Sequence, residues 1–424
     1  MAREMKDSGI EWIGEIPAEW SVERGKNILQ ILERPVREDD GIITCFRDGE
    51  VTLRSKRREE GFTMSDKEIG YQGIEVGDLV VHGMDGFAGA IGVSDSRGKA
   101  TPVLNVMDSS QEKRFLMYYL RCAAYCGLFL SLSTGIRVRS CDTNWNKLKN
   151  IFYILPSVGE QQRIVNFIDD ECAHIDSVID QTRASIEEYK KLKQAVITQA
   201  VTKGIRPDRQ MKDSGNKWLS AIPVDWKLSR VGLHFDITLG KMLCSEQPSD
   251  EYTLESYFCA ANVHFDGVSN DDLKQMWFSP AEKEQYLVTV GDLLVVEGGA
   301  GAGGCAVVTE LSKAIYIQNS IMIVRSRKNA NVRYLKYLLE FLVNEGYIDI
   351  VCNKATIPHF TKDKLANVPF AVSDEQEEIA HFLDKKTADI DALVLKKESI
   401  IQQLEQYKKS LIYEYVTGKK EVLA

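Results

Sequence analysis

Basic and polar side chains gather at a few places in this 424-residue sequence, and they are its best candidates for chemistry. The first half holds Arg54, Lys56, Arg57 and Arg58, then Arg137 and Arg139 in the run STGIRVRS. The second half holds Lys241, then Lys354, Thr356 and His359 in NKATIPHF, with Arg325, Arg327 and Lys328 nearby. Guanidinium and ammonium groups neutralise phosphates, and donors of these types can reach base edges in a DNA groove. In both halves the later cluster falls just before the segment that enters a long helical pattern. That shared position makes the two clusters counterparts.

Other chemistry is opposed by the sequence. The run GGAGAGG at 298–304 resembles a phosphate cradle, but a P-loop needs Lys-Ser or Lys-Thr after its last glycine. Here Cys305-Ala306 follow, and Val307-Val308 read as strand where a dinucleotide site would need a helix. This run and its partner GMDGFAG at 83–89 are therefore read as tight turns. None of the ten prolines follows Asn or Asp, so the Asn/Asp-Pro-Pro-aromatic loop of amino-methyltransferases is missing. The only Pro-Asp, Pro207-Asp208, lies in a linker, which leaves the common nuclease pattern without a home. The six histidines make no His-x-x-x-His pair, and the nine cysteines make no Cys-x-x-Cys pair. Cys122 and Cys126 share a helix face in an apolar segment and read as packing residues. No catalytic residue and no metal ligand is assigned, and catalysis is expected from partners.

Composition bounds the reading further. Hydrophobic residues make up 44% and charged residues 27%, as in an ordinary globular protein of two or three domains. No run approaches ~18 uninterrupted apolar residues, and the N-terminus lacks the apolar core of a signal peptide. A cytoplasmic protein without a membrane span is expected. The net charge is −9, and no broad segment is basic as a whole. Nucleic-acid binding must then rest on local patches or on partner subunits. The same acidic balance supports a competing reading, a coiled-coil protein–protein adaptor that does not read DNA.

The elements that must position these residues come in two copies. Met5-Lys6-Asp7-Ser8-Gly9 recurs as Met211-Lys212-Asp213-Ser214-Gly215, and at the same offset of 206 Trp12 maps to Trp218, Ile16-Pro17 to Ile222-Pro223 and Trp20 to Trp226. Later matches run at an offset of 215: Glu160-Gln161 to Glu375-Gln376, Ile164 to Ile379, Phe167 to Phe382, Asp169 to Asp384, Ile175-Asp176 to Ile390-Asp391, and Val201-Thr202 to Val416-Thr417. The growth in offset places an insertion in the middle of the second half. Shared ends imply a common scaffold or partner surface, and divergent middles imply two recognition surfaces.

Apolar side chains at gaps of three and four predict one long helix over 159–203 and another over about 374–417. Gly204 and Gly418 stop them. Each spans about 66 Å at 1.5 Å per residue. Two helices of equal length can bury their stripes on each other as an antiparallel pair. The middles, 21–157 and 227–372, read as mixed α/β. The fold class is thus α+β, with two mixed domains joined by two long antiparallel coiled-coil helices in a pseudo-twofold repeat. The boundaries read are 1–157, 158–206, 207–372 and 373–424.

These residues also carry a resemblance. The opening KDSGIEWIGEIPAEW, the joint LPSVGEQQRIVNFID with HIDSVI, and its second copy SDEQEEIAHFLD with DIDALV are similar to the conserved segments of type I restriction-modification specificity subunits. TGIRVRS…NWNKLKNIFYILP and ATIPHFTKDKLANVPF resemble the ends of their target recognition domains. The resemblance covers nearly the whole chain. It implies two target recognition domains that each bind half of a bipartite double-stranded DNA site, with the helices setting the gap. It implies two methyltransferase (modification) subunits that bind S-adenosylmethionine, and restriction/translocase subunits that use ATP and magnesium. This chain would hold no cofactor of its own.

Overall fold

The computed structural model describes residues 3–57, 69–132, 143–327, 330–352 and 358–422. Arg58, Arg137, Arg139, Lys328, Lys354 and Thr356 lie outside the described residues. The chain divides into two compact units, residues 1–182 with 398–424, and residues 183–397.

The first unit is built on a four-stranded antiparallel sheet in the order Leu29–Ile31, Leu104–Ser109, Leu79–His82, Ile91–Val93. The run Leu79-Val80-Val81 is apolar throughout because both faces of its strand are covered. Side chains alternate across a strand. Leu79 and Val81 therefore face one way, into a cluster with Phe115, Leu116 and Tyr119 of the helix Lys113–Tyr125. Val80 faces the other way, into a separate cluster with Ile43, Val51, Ile74 and Ala100. That second cluster is supplied by the hairpin Ile43–Cys45/Val51–Leu53 and the pair Gln72–Ile74/Gly98–Ala100.

The second unit repeats the sheet strand for strand: Phe235–Leu239, Ile321–Ser326, Leu293–Val296, Cys305–Val307. Leu293 and Val295 meet the helix Val332–Asn344, while Leu294 and Val296 face Phe258, Val263 and Ile317. On this far face the units differ. The second carries a three-stranded sheet, Lys274–Phe278, Thr253–Phe258, Tyr316–Ile317, and the helix Pro280–Tyr286, whose start is closed by a reciprocal Ser279/Glu282 capping box. Strand pairing makes Ile31 equivalent to Ile237, an offset of 206, and Leu79 equivalent to Leu293, an offset of 214. Most of the inserted length thus lies between the first two strands of the second sheet, on the face away from the helix.

The two long helices run Val158–Lys203 and Gln376–Val416, within two residues of the expected bounds. In the first unit Phe167 stacks on Tyr415 with centroids 4.4 Å apart, and Asp176 pairs with Lys408 at 2.6 Å. In the second unit Lys193 pairs with Asp391 at 2.7 Å, and Lys397 lies 5.6 Å from the Tyr189 ring. In each unit one number rises as its partner's falls, so the helices pair antiparallel there. The repeated Ile-Asp motif is explained: each aspartate takes the equivalent lysine of the other helix. Such exposed pairs contribute roughly 0–1 kcal/mol each, and their effect is to fix register. Among the described residues no helix is long and apolar enough to cross a membrane.

Candidate nucleic-acid interface

The repeated ends build one joint twice. In the first unit the Trp20 indole N–H donates to Glu160 Oε2 at 3.2 Å, and Arg3 donates to Glu160 at 2.7 Å. In the second, Trp226 donates to Glu375 Oε1 at 2.9 Å, and Arg209 bonds the same oxygen. The neighbouring glutamine holds the adjoining helix: Gln161 Oε1 accepts the Glu112 amide at 2.9 Å, and Gln376 Oε1 accepts the Asn331 amide at 3.1 Å. Asp169 then bonds Arg114 and Tyr118, as Asp384 bonds Arg333 and Tyr337. Gly204, at φ +76°, ends the first long helix, and an added Cβ there would come within 2.7 Å of Glu375 and 3.2 Å of Trp226. The Glu-Gln motif is thus a fastening of helix to domain. Sequence reasoning missed Arg3 and Arg209, although the offset of 206 links them.

Glu375 is fully buried, and Arg209 is 13% exposed. Removing one partner of a buried pair costs about 3–5 kcal/mol. Glu375→Ala should therefore destabilise the second unit by that amount, read as a lower urea midpoint. An unchanged midpoint would show that the joint is not structural.

The glycine runs are turns, as their sequence implies. Gly304 leads into the strand Cys305–Val307. Each turn receives the chain as it returns toward the long helix. In the first unit the Thr143 amide donates to Gly83 O at 2.8 Å, and Asn105 Nδ2 donates to Thr143 O at 2.8 Å. In the second, the Gly299 amide donates to Pro358 O at 3.1 Å, and the Phe360 amide to Glu297 O at 2.6 Å. His359 sits at this crossing, 59% exposed, with Nδ1 3.2 Å from Glu297 Oε2.

The described members of the early cluster lie on the insert face. Arg54, Lys56 and Arg57 form the short helix Arg54–Arg57. Arg54 Nε donates to Thr44 Oγ1 at 3.3 Å. Lys56 donates to Ser96 Oγ at 2.6 Å and lies 3.3 Å from Asp95. Arg57 bridges Asp48 at 3.0 Å and Glu50 at 2.8 Å, above the Phe46 ring at 4.1 Å. Burial pulls the Asp48 carboxyl upward, but its hydrogen bonds from Arg57 and the Glu50 amide hold it below the usual range. Lys241 is different. Its side chain is 10% exposed, bonded to Glu282, with the Tyr252 and Phe278 rings 5.0 and 5.4 Å away. Its head is enclosed by protein, so its expected role as an exposed contact gives way to that of an internal brace. Arg325 and Arg327 are likewise bound to Asp292 and Asp236.

Cys122 is buried, and burial pushes its thiol up to about 12, in keeping with a packing role. Among the described residues no cluster of three or more His, Cys, Asp or Glu is arranged to hold a metal ion.

Residues 223–406 match the family described as "Type I restriction modification DNA specificity domain". Over 449 aligned positions the chain is 23% identical to a putative type I restriction enzyme MjaX specificity subunit of Methanocaldococcus jannaschii, covering 97% of this chain and 96% of that one. Its fold is similar to a chain of a solved type I R-M system (TM-score 0.72, 18% identity, 96% and 99% covered). It is also similar to the HsdS subunit of Thermoanaerobacter tengcongensis (TM-score 0.54, 17% identity, 96% and 98% covered). The matched segment holds most of the second unit, and the first unit repeats the same sheet order. Residues 223–406 thus match a type I restriction modification DNA specificity domain, and over nearly its whole length the chain is similar to a type I restriction enzyme specificity subunit.

Proposed function

We propose that this chain reads a bipartite double-stranded DNA target on behalf of a type I restriction-modification complex. Each mixed domain takes one half-site, and the two long helices pair as an antiparallel coiled coil that sets the gap between them. The observation that supports this most is the two-faced sheet. One face carries the repeated helix and joint, and the opposite face carries an insert that differs between units. A shared scaffold with interchangeable far faces suits two different half-sites held by identical machinery. Arg54, Lys56, Arg57 and Arg58, with Arg137 and Arg139, are assigned to the first half-site. Lys354, Thr356 and His359 are assigned to the second, with Lys241 bracing the insert through Glu282.

The chain itself does no chemistry in this reading. Two modification subunits docked on the repeated scaffold supply methyl transfer from S-adenosylmethionine. Restriction/translocase subunits supply ATP- and magnesium-dependent cleavage, and the whole assembly works in the cytoplasm. The net charge of −9 favours the rival adaptor reading, in which the far faces bind proteins. Domain exchange separates the two. Replacing residues 21–157 with the same region of a relative should change one half of the methylated motif and leave the other, read by methylome sequencing. Methylation of an unchanged motif by the folded chimera would sink the DNA reading.

A further inference from the structure

The basic residues placed so far mostly end on carboxylates. Arg24 and Arg230 do not. They are equivalent, offset by 206, and each ends a strand, Ser21–Arg24 and Lys227–Arg230. Both are exposed, and among the described residues neither has a carboxylate partner. In the first unit the Arg24 guanidinium lies 5.0 Å from the centroid of the half-exposed Phe152 ring. In the second, Arg230 Nη1 donates to Asn367 Oδ1 at 3.1 Å. Asn367 is itself fixed by donating to Asp363 O at 2.8 Å, and its counterpart Asn150 donates to Asn146 O at 2.7 Å.

The backbone beneath the two arginines is also repeated. The Gly25 amide donates to Ile151 O at 2.9 Å, and the equivalent Val231 amide to Val368 O at 3.1 Å. The cross-strand neighbours, however, are Phe152 for Arg24 and Pro369 for Arg230. Packing therefore does not explain why arginine stands at both positions. What the two places share is a positive charge, held by a neighbour and open to solvent. A charge kept at one spot on two units with different inserts serves something both units meet alike. The phosphate backbone of DNA is such a target, since it is the same whatever bases lie inside. On a chain of net charge −9, a guanidinium without a carboxylate partner is also where a phosphate would be drawn.

We infer that Arg24 and Arg230 are twin phosphate contacts, one per unit, that grip the DNA backbone beside each half-site without reading bases. The inference rests on the DNA reading above. It is tested on the complex assembled with its modification subunits, comparing wild type, R24A/R230A and R24K/R230K. Affinity is measured over a salt series for the methylated target duplex and for an unrelated duplex. In R24A/R230A the slope of log K against log salt should flatten by about two, one unit per lost phosphate contact, equally for both duplexes. The methylated motif should not change, and R24K/R230K should restore the slope because the charge returns. An unchanged slope, or an altered motif, overturns the inference. So does weaker DNA binding that accompanies loss of modification subunits from the variant, which would assign the arginines to subunit docking. If the wild-type complex leaves both duplexes unbound, the DNA reading falls and takes the twin contacts with it. Wild-type binding with an unaffected variant overturns the contacts alone.

Discussion

A chain that stops at Ser410 is expected to lose its first unit and keep its second. Leu411 and Val416 are buried in the same cluster as Ile13, Ile16 and Trp20, more than three hundred and ninety positions away in sequence. Tyr415 stacks on Phe167, Tyr413 donates its hydroxyl to Trp12 O at 3.0 Å, and the Lys419 ammonium bonds Glu15 O. Each buried aliphatic side chain contributes roughly 1.5–3 kcal/mol. With the aromatic contacts the loss is roughly 5 kcal/mol or more, comparable to the net stability of a domain, about 5–15 kcal/mol. In the second unit the same place is filled by Ile197, Ala200 and Val201 against Leu219, Ile222 and Trp226, all upstream of the cut. Hydrogen exchange read by mass spectrometry should find the strands Leu79–His82 and Leu104–Ser109 exchanging freely in the truncated chain. Leu293–Val296 and Ile321–Ser326 should stay protected. Full protection of all four strands would show that the terminal segment is dispensable.

The parts of this fold that two copies share were legible in the sequence, because repetition marks them. The helix ends, the Trp20/Glu160 joint with its Trp226/Glu375 copy, and the Asp176/Asp391 pair all fall on residues matched at offsets of 206 or 215. The apolar strand Leu293–Val296 was legible from its composition. The insert faces were not. Their strands are two to six residues long, their sequences are not matched between the halves, and they are held by distant contacts, as Tyr257 pairs with Tyr316. Charge clusters were visible, but not the carboxylates that meet them. Lys241 looked free until Glu282, forty-one positions on, closed over it. Conversely, Arg24 and Arg230 were passed over because each stands apart from any basic run, though the repeat offset joins them.

Lengthening both long helices by four residues, after Gln181 and after Gln402, is expected to widen the gap between the two half-sites by one or two base pairs. The insertion points are set by the ion pairs. The first unit ties Asp176 to Lys408, and the second ties Lys193 to Asp391. Gln181 lies between Asp176 and Lys193 on one helix, and Gln402 lies between Asp391 and Lys408 on the other. Matched insertions leave each unit's own pairing intact. An insertion in one helix alone makes the two spans between the ion pairs unequal, so one unit must give up its register. That variant should melt earlier and methylate poorly. Four residues add about 6 Å of helix at 1.5 Å each, and DNA rises about 3.4 Å per base pair. They also turn the distal part of each helix by about 40° beyond a full turn, at 3.6 residues per turn. One base pair turns DNA by a similar angle, given roughly 10 base pairs per turn, so each domain can still meet its half-site. Matched insertions of two residues turn the apolar stripes by about 200° and should abolish methylation. The readout is the methylated motif of each variant, determined genome-wide, with both half-sites expected to keep their bases because neither mixed domain is touched. If the four-residue variant methylates DNA with an unaltered gap, the helices do not set the spacing and serve only to hold the subunits together.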